Sequence, residues 1–233
     1  TKVGAGTVTL SGANTYSGTT TISAGTLSVT GSLSDSTAVT VASGATYSVG
    51  ASDTVASIAG AGSVNLNSYT LTVGDSNNTI YSGAMSGTGN LIKQGAGTLT
   101  MSGANTYTGD TNINAGTLKL TGSLSSSTDV VMTNAAVWDL QAAQTVASLT
   151  MASGNSITNT AGTSSLTVSG TSTLANSITT SGTQTYTGAV TLAADTALTG
   201  TAIGFGATVN SNSTTAQSLT LTNSGTASFG GVV

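Results

Sequence analysis

Apolar and polar residues alternate along most of this chain. In "TVTL" (Thr7 to Leu10), "TTTI" (Thr19 to Ile22) and "TLSV" (Thr26 to Val29), the apolar residues stand at every second place. This period is that of a β-strand with one buried face. No stretch of the sequence shows a sustained helical period, so the pattern predicts an all-β fold.

Short breaks that contain glycine separate these predicted strands. Segments such as "SGAN", "SAG" and "ASG" recur about every 7 to 12 residues, a spacing that fits either a β-sandwich or a β-solenoid. The Thr and Ser residues between the apolar positions suit the solvated face of a strand. The alternation alone does not distinguish the two folds.

An internal repeat of 91 residues favours the solenoid. Gly4 aligns with Gly95, Tyr16 with Tyr107, and "GTQTYTGAVTL" from Gly182 is a partial third copy. A solenoid tolerates such copying because each coil contacts only its neighbours. We predict one β-solenoid over residues 1–233, with copies at about 1–91 and 92–181 and a partial copy at 182–233. It would have roughly 10–12 coils of about 20 residues and a length of about 50 Å.

The best conserved part of the repeat resembles a known family. The segment "KQGAGTLTMSGANTYTGDTNINAGTLKL" (Lys93 to Leu120), with its earlier copy from Lys2, resembles the autotransporter-associated β-strand repeat of Gram-negative type V secretion passenger domains. The shared features are K-x-G-x-G-T-L, G-x-N-T-Y-x-G and I-x-x-G-T-L, with Val8 in place of Leu in the first copy. The predicted structural repeat positions are Lys2, Gly4, Gly6, Asn14, Tyr16, Gly18, Gly25, Lys93, Gly95, Gly97, Asn105, Tyr107, Gly109, Gly116 and Tyr186.

The resemblance implies a right-handed parallel β-helix that is exported. It implies secretion to the outside or the surface of a Gram-negative-type bacterium, and it allows for an outer-membrane translocator in the precursor. The repeat motif is specific for a repeat family and carries no particular activity.

The chain lacks most of the side chains that catalysis usually needs. Charged residues make up 4% of the chain, against a usual value of about 25%, and the sequence has no Arg, Glu, His, Cys or Pro. General acid–base, thiol and most metal chemistry therefore lack their usual groups. We predict that the protein is not an enzyme and needs no cofactor.

The charge pattern also argues against nucleic acid and membrane partners. Three scattered lysines do not form the basic stripe that nucleic acid requires. No apolar run approaches the length of about 18 residues that a membrane helix needs. We expect neither a nucleic-acid partner nor a membrane span.

Several minor motifs have alternative interpretations. Five G-x-G pairs lack the rest of a phosphate-binding motif and suggest tight corners. Stacking of Asp53 on Asp35 or Asp75 would give a glycosidase-like carboxylate pair. The second copy has Ser126 in place of Asp35 and Gln144 in place of Asp53, which argues against an enzyme. The segment with Asp75, Asn77 and Asn78 is a weak calcium candidate, with a polar turn as the main alternative.

The repeated Tyr of N/Q-T-Y-[ST]-G is interpreted as a packing residue, with a sugar platform as the alternative. Rows of outward Thr make ice binding a further alternative. The predicted function is a structural subunit of an extracellular filament, which assembles with itself head to tail through uncapped ends. The alternative is an autotransporter stalk or adhesin that binds ligands through its side face.

Overall fold

The chain forms a parallel β-solenoid, as its alternation and its repeat predicted. A computed structural model describes residues 1–212 and 216–233. It has about 11 turns of ~19 residues, and the described residues contain no helix. Among residues 1–212 and 216–233, no helix is long and apolar enough to cross a bilayer.

Most strands are short because each coil turns a corner after three to five residues. The strands are β1 (Thr7–Leu10), β2 (Thr20–Ile22), β3 (Thr26–Val29), β4 (Ala38–Val41), β5 (Thr46–Val49), β6 (Asp53–Val55), β7 (Ser57–Gly60), β8 (Ser63–Asn65), β9 (Leu71–Val73), β10 (Thr79–Tyr81), β11 (Met85–Ser86), β12 (Leu91–Lys93), β13 (Thr98–Met101), β14 (Thr111–Ile113), β15 (Thr117–Leu120), β16 (Asp129–Met132), β17 (Val137–Leu140), β18 (Gln144–Val146), β19 (Ser148–Met151), β20 (Ser156–Thr158), β21 (Leu166–Val168), β22 (Ser172–Thr179), β23 (Gln184–Tyr186), β24 (Val190–Gly200), β25 (Ile203–Phe205), β26 (Val209–Ser211), β27 (Leu219–Asn223) and β28 (Ala227–Phe229).

Successive coils stack into three faces of parallel strands. Face A carries β2, β4, β7, β10, β13, β15, β17 and β20, and continues through β22 and β24 to β27. Face B begins with β1, β3, β5, β8 and β11, and ends with β18, β21, β23, β25 and β28. Face C carries β6, β9, β12, β14, β16 and β19, and continues through β22 and β24 to β26.

The second copy of the repeat is rotated by one face relative to the first. Lys2 pairs with Ile22 on face A, and four coils later that ladder reaches Tyr81. The chain then passes face B before Lys93, the equivalent of Lys2, pairs with Ile113 on face C. One period therefore takes four full coils and two of the three faces of a fifth. Equivalent side chains of the two copies point in different directions around the solenoid axis.

The core is a stack of inward apolar side chains, one or two from each strand. Its bulkiest member is Trp138, and Tyr47 occupies the equivalent place in the first copy; both are fully buried. Near the C-terminal end the ring of Tyr186 stacks on Phe205 at 5.5 Å, and Phe205 stacks on Phe229 at 5.0 Å. Burying such rings removes a large apolar area from water, which stabilises the stack.

The outward threonine columns are short. Thr145, Thr167 and Thr185 form one column on face B, but Gly204 and Ser228 follow them. On face A, Lys119 and Asp139 follow Thr100. These interruptions break the regular hydroxyl array that ice binding would require.

One outward column on face C carries two aspartates at neighbouring places. The register that pairs Thr111 with Val130 also sets Asp110 beside Asp129 in the next coil. Like charges directly opposite each other destabilise a parallel ladder. The first copy has Thr19 and Ala38 at these places and avoids the repulsion.

We expect Asp110→Thr to stabilise the solenoid, because it removes this repulsion and restores the residue of the first copy. The free energy of unfolding should rise by about 0.5 kcal/mol at low salt. Urea denaturation measures it. The gain should shrink at about 1 M salt, where the Debye length is about 3 Å. A loss of stability at low salt would contradict the repulsion.

Candidate functional site

The lysine that begins each repeat points into the solenoid and binds backbone carbonyls. Lys93 is 1% exposed. Its ammonium donates to the carbonyl oxygens of Gln94 (2.8 Å), Gly95 (2.8 Å) and Ala115 (3.0 Å). The first two belong to its own corner and the third to the corner of the next coil. The lysine thus joins two successive corners.

The first copy forms the same cradle one face away. The Lys2 ammonium donates to Val3 (3.2 Å), Gly4 (2.6 Å) and Ala24 (2.8 Å) carbonyl oxygens. Two independent occurrences show that the spacing K-x-G, followed by A-G one coil later, encodes this contact. The motif lysine is therefore a structural group in both copies, with no described carboxylate within ion-pair distance of it.

Burial changes the titration of this lysine. Loss of hydration lowers the pKa of the Lys93 ammonium from 10.5 to about 8, and the nearby Asp75 carboxylate opposes that shift. A buried ammonium is tolerated because its three protons meet three carbonyl oxygens.

The asparagine of N-T-Y holds the opposite corner. Asn105 is buried, and its side-chain nitrogen donates to the carbonyls of Gly103 and Ser123, both at 3.0 Å. Its side-chain oxygen accepts from the Met85 N–H of the preceding coil at 3.0 Å. Asn14 makes the two equivalent donor contacts, to Gly12 and Ser32. This residue links three successive coils wherever a coil precedes it.

The repeated tyrosine is a packing residue where it is covered by a coil. Tyr107 and Tyr186 are fully buried, whereas Tyr16 in the first coil is 44% exposed. The Tyr107 hydroxyl is 2.6 Å from the Thr111 hydroxyl, and Tyr16 makes the equivalent contact with Thr20 at 2.8 Å. Burial raises the pKa of the Tyr107 phenol. A buried ring offers no platform to a sugar.

The repeat glycines serve two purposes at the corners. Gly95 and Gly116 have φ of +70° and +63°, a region that favours glycine, as do their equivalents Gly4 and Gly25. Gly97 and Gly109 have no such φ, but a Cβ there would collide with a carbonyl oxygen of the preceding coil. Their equivalents Gly6 and Gly18 lie in the uncovered first coil, where a Cβ would meet nothing within 4 Å.

Asp53 is a structural residue of the same kind as Gln144 in the second copy. An Asp53 carboxylate oxygen accepts from the Leu33 N–H at 2.9 Å, and the Gln144 amide oxygen accepts from the equivalent Leu124 N–H at 3.1 Å. Gln144 also donates to the Gly122 carbonyl at 2.7 Å, a bond that an ionised carboxylate cannot make. Desolvation, and to a lesser extent Asp35, raise the pKa of Asp53, and two backbone N–H groups oppose them.

We expect Asp53→Gln to stabilise the solenoid at neutral pH. The raised pKa means that the folded state holds a proton more tightly than the unfolded chain, so ionisation above pH 3.8 costs stability. The melting temperature should rise by a few degrees at pH 7 and hardly change at pH 3. The reverse change, Gln144→Asp, should lower it at pH 7. A melting temperature lowered by Asp53→Gln at pH 7 would refute this interpretation.

The calcium candidate lies in a turn whose oxygens already have protein donors. Asp75 accepts from the Asn77 N–H at 2.7 Å and from the Asn77 side chain at 2.8 Å, and Asn78 accepts from the Thr98 N–H at 2.8 Å. Within residues 1–212 and 216–233, no three His, Cys, Asp or Glu residues form a metal-binding group. Calcium binding here stays a prediction.

The carboxylate pair considered from the sequence lies near an open depression. Asp35, Asp53 and four Ser or Thr residues line a cavity of about 300 Å³ on the side of the solenoid. Both oxygens of Asp53 accept backbone N–H groups, from Leu33 and Thr54. The geometry explains Asp53 as a coil-to-coil link without recourse to catalysis.

Sequence reasoning predicted a set of repeat positions but did not predict what the lysine and Asp53 bind. The signal was present in "LIK": the alternation of Leu91 and Lys93 around Ile92 places the lysine on the inward face. The structure is needed to show that the ammonium binds backbone carbonyls, including that of Ala115 in the next coil. The alignment of Asp53 with Gln144 likewise pointed to a shared hydrogen-bonding role.

Comparisons with known proteins agree with this repeat architecture. The passenger-associated-transport repeat matches residues 1–29 and 91–120, the two segments that contain the lysine cradles. The Adhesin BmaC autotransporter of Brucella suis biovar 1 (strain 1330) is 44% identical over 73 residues. That alignment covers 28% of this chain and 2% of the adhesin, so the chain spans a small part of that relative's length. No solved structure matches. The predicted resemblance to an autotransporter passenger repeat is confirmed.

Proposed function

Because the chain carries two passenger-associated-transport repeats on a β-solenoid, we propose that it is a non-enzymatic rod segment of an autotransporter passenger. It would stand outside the cell or on the surface of a Gram-negative bacterium, after passage through an outer-membrane translocator. The observation that carries this proposal is the lysine cradle, since both matched segments build it from the same residues.

The chemistry of the chain supports a structural role. The motif lysines, Asp53 and Asn105 hold successive coils together through backbone groups. Each coil needs only its neighbour for such contacts, so the solenoid extends by repetition. The relative that matches part of this chain is an adhesin. A rod-shaped passenger would hold its side faces at a distance from the cell.

Surface display tests this proposal. The chain would be fused between a signal peptide and a translocator barrel and produced in a Gram-negative host. We expect intact cells to lose the chain to external protease and to bind an antibody against it. A variant without the translocator serves as the control. Retention of the chain inside intact cells, with a translocator that exports a reference passenger, would overturn the proposal.

A second candidate is self-assembly into a filament, head to tail. The two end coils expose apolar side chains of the core edge: Val8 (43%) and Tyr16 (44%) at one end, Phe229 (43%) and Val232 (76%) at the other. A second copy and a further coil of the same polypeptide would both cover such edges. The exposed strands also leave backbone N–H and C=O groups unpaired, which favours strand addition.

Electron microscopy of the purified chain distinguishes the filament from a single rod. Filaments with an axial repeat of about 50 Å, the length of about 11 coils, would support self-assembly. Val8→Lys should abolish them, because it puts a charge at the junction. Separate short rods at high protein concentration would refute the filament and leave the passenger proposal intact.

A further inference from the structure

Face A carries a groove that the repeat does not explain. It has a volume of about 440 Å³ and crosses four consecutive strands, β10, β13, β15 and β17. Its lining residues are Asn78, Thr79, Ile80, Thr98, Thr100, Thr117, Lys119 and Asp139. Apart from the end coils, Ile80 is the most exposed large apolar side chain of the described residues, at 64%.

The groove contains the one lysine that the solenoid does not use. The ammonium groups of Lys2 and Lys93 bind backbone carbonyls. Lys119, in contrast, makes no hydrogen bond or ion pair with any residue that the structure describes. Its cross-strand neighbour Asp139 is no substitute partner. Asp139 is 4% exposed and accepts from Thr160, through both its N–H (3.0 Å) and its hydroxyl (2.6 Å), and from Gln141 (2.9 Å).

The lysine is a departure from the repeat. The first copy has Ser28 and Ser48 where the second has Lys119 and Asp139. Ser28, Ser48 and Lys119 are half-buried and alternate with inward apolar side chains, whereas Asp139 in the same outward column is buried. Because uncharged residues suffice for stacking there, a scaffold has no need of a charge at this place. The rotation of the second copy also puts Lys119 on a different face from Ser28.

The remaining lining groups are hydroxyls, an amide and an apolar shelf. The hydroxyls of Thr79, Thr98, Thr100 and Thr117 form no hydrogen bond with other described residues. The Asn78 oxygen accepts from Thr98, which leaves its side-chain nitrogen free as a donor. The strands beneath are paired with each other, so their backbones offer a peptide no edge to extend. A hydroxyl-rich ligand with one negative group matches this inventory.

We propose that the groove of face A binds a carboxylate-bearing saccharide, such as a chain of uronic acid units. The Lys119 ammonium pairs with a sugar carboxylate, the threonine hydroxyls and the Asn78 amide bind sugar hydroxyls, and Ile80 supports an apolar ring face. This inference rests on the proposed extracellular location and names the ligand class of an adhesin side face.

Binding of purified chain to oligogalacturonate tests the proposal directly. Titration calorimetry would compare it with the methyl-esterified oligosaccharide, which has the same backbone without charge, and with oligoglutamate. We expect binding to the acidic saccharide alone, weakened at least tenfold in Lys119→Ser and weakened by salt. Circular dichroism would show that the variant keeps its β-structure.

A charge-matched control separates the groove from general electrostatics. The double variant Lys119→Ser, Ser28→Lys keeps the net charge but moves the lysine to the equivalent place on face B. It should bind no better than Lys119→Ser. The proposal falls if this variant binds like the wild type, if the methyl ester or oligoglutamate binds equally well, or if the wild-type chain does not bind. Because binding is measured on purified chain, its failure is distinct from a failure of surface display.

Discussion

Lys93→Met is expected to destabilise the solenoid by about 3 kcal/mol, the size typical of removing one partner from a buried charged hydrogen-bond network. The substitution keeps most of the side-chain volume but leaves three carbonyls, those of Gln94, Gly95 and Ala115, without their donor. Two of them belong to one corner and one to the next, so two coils lose their link. Urea denaturation followed by circular dichroism measures the loss.

Lys119→Met is the matched control, because the Lys119 side chain makes no hydrogen bond or ion pair with described residues. A surface change of this kind usually stays within about 0.5 kcal/mol. Equal losses for the two variants would show that the cradle contributes nothing beyond the general effect of removing a lysine.

The buried Lys93 should also make the stability of the solenoid depend on pH. Burial lowers the pKa of Lys93 from 10.5 to about 8, so between these values the folded state binds fewer protons than the unfolded chain. Stability due to this group therefore rises with pH across that window. The slope should be measured from pH 8 to 9.5, below the ordinary tyrosine pKa of 10.0, because burial raises the pKa of Tyr107 and Tyr186. Lys93→Met should lose this slope.

The sequence predicted which side chains point into the solenoid, but it did not predict which face each copy of the repeat occupies. Alternation in "TLSV" correctly predicted that Leu27 and Val29 point inward. A period of 91 residues and coils of about 20 gave four or five coils per copy. Each copy ends part of the way around a coil, and that part decides which face the next copy begins on. It depends on the length of each corner. Corner lengths follow from contacts between coils that are far apart in sequence.

The same limit explains what remained hidden in the candidate sites. The lysine of K-x-G and Asp53 both bind backbone groups of a neighbouring coil about 20 residues away. Their residue types were visible, but a partner that is a backbone carbonyl or N–H has no sequence signature. The groove with Lys119 was equally invisible, because its lining residues come from four coils.

Gly109→Ala is expected to destabilise the solenoid by about 3 kcal/mol, at the upper end of overpacking effects. A Cβ on Gly109 would collide with the carbonyl oxygen of Gly89 and with the side chain of Asn90 in the preceding coil. The φ of Gly109 is not in the left-handed region, so the cost is purely steric. Because the obstructing oxygen belongs to the backbone, relief requires the two coils to separate at this corner.

The repeat supplies the control for this prediction within the same chain. Gly18 is the equivalent residue in the first coil, with the same local sequence context, and a Cβ there meets no atom within 4 Å. Gly18→Ala should therefore be neutral, or stabilise slightly because alanine restricts the unfolded chain more than glycine does. Thermal denaturation of the two variants side by side measures the difference. If both variants lost stability equally, the cost would come from the local backbone, and the close approach of stacked coils would not be the reason for this glycine.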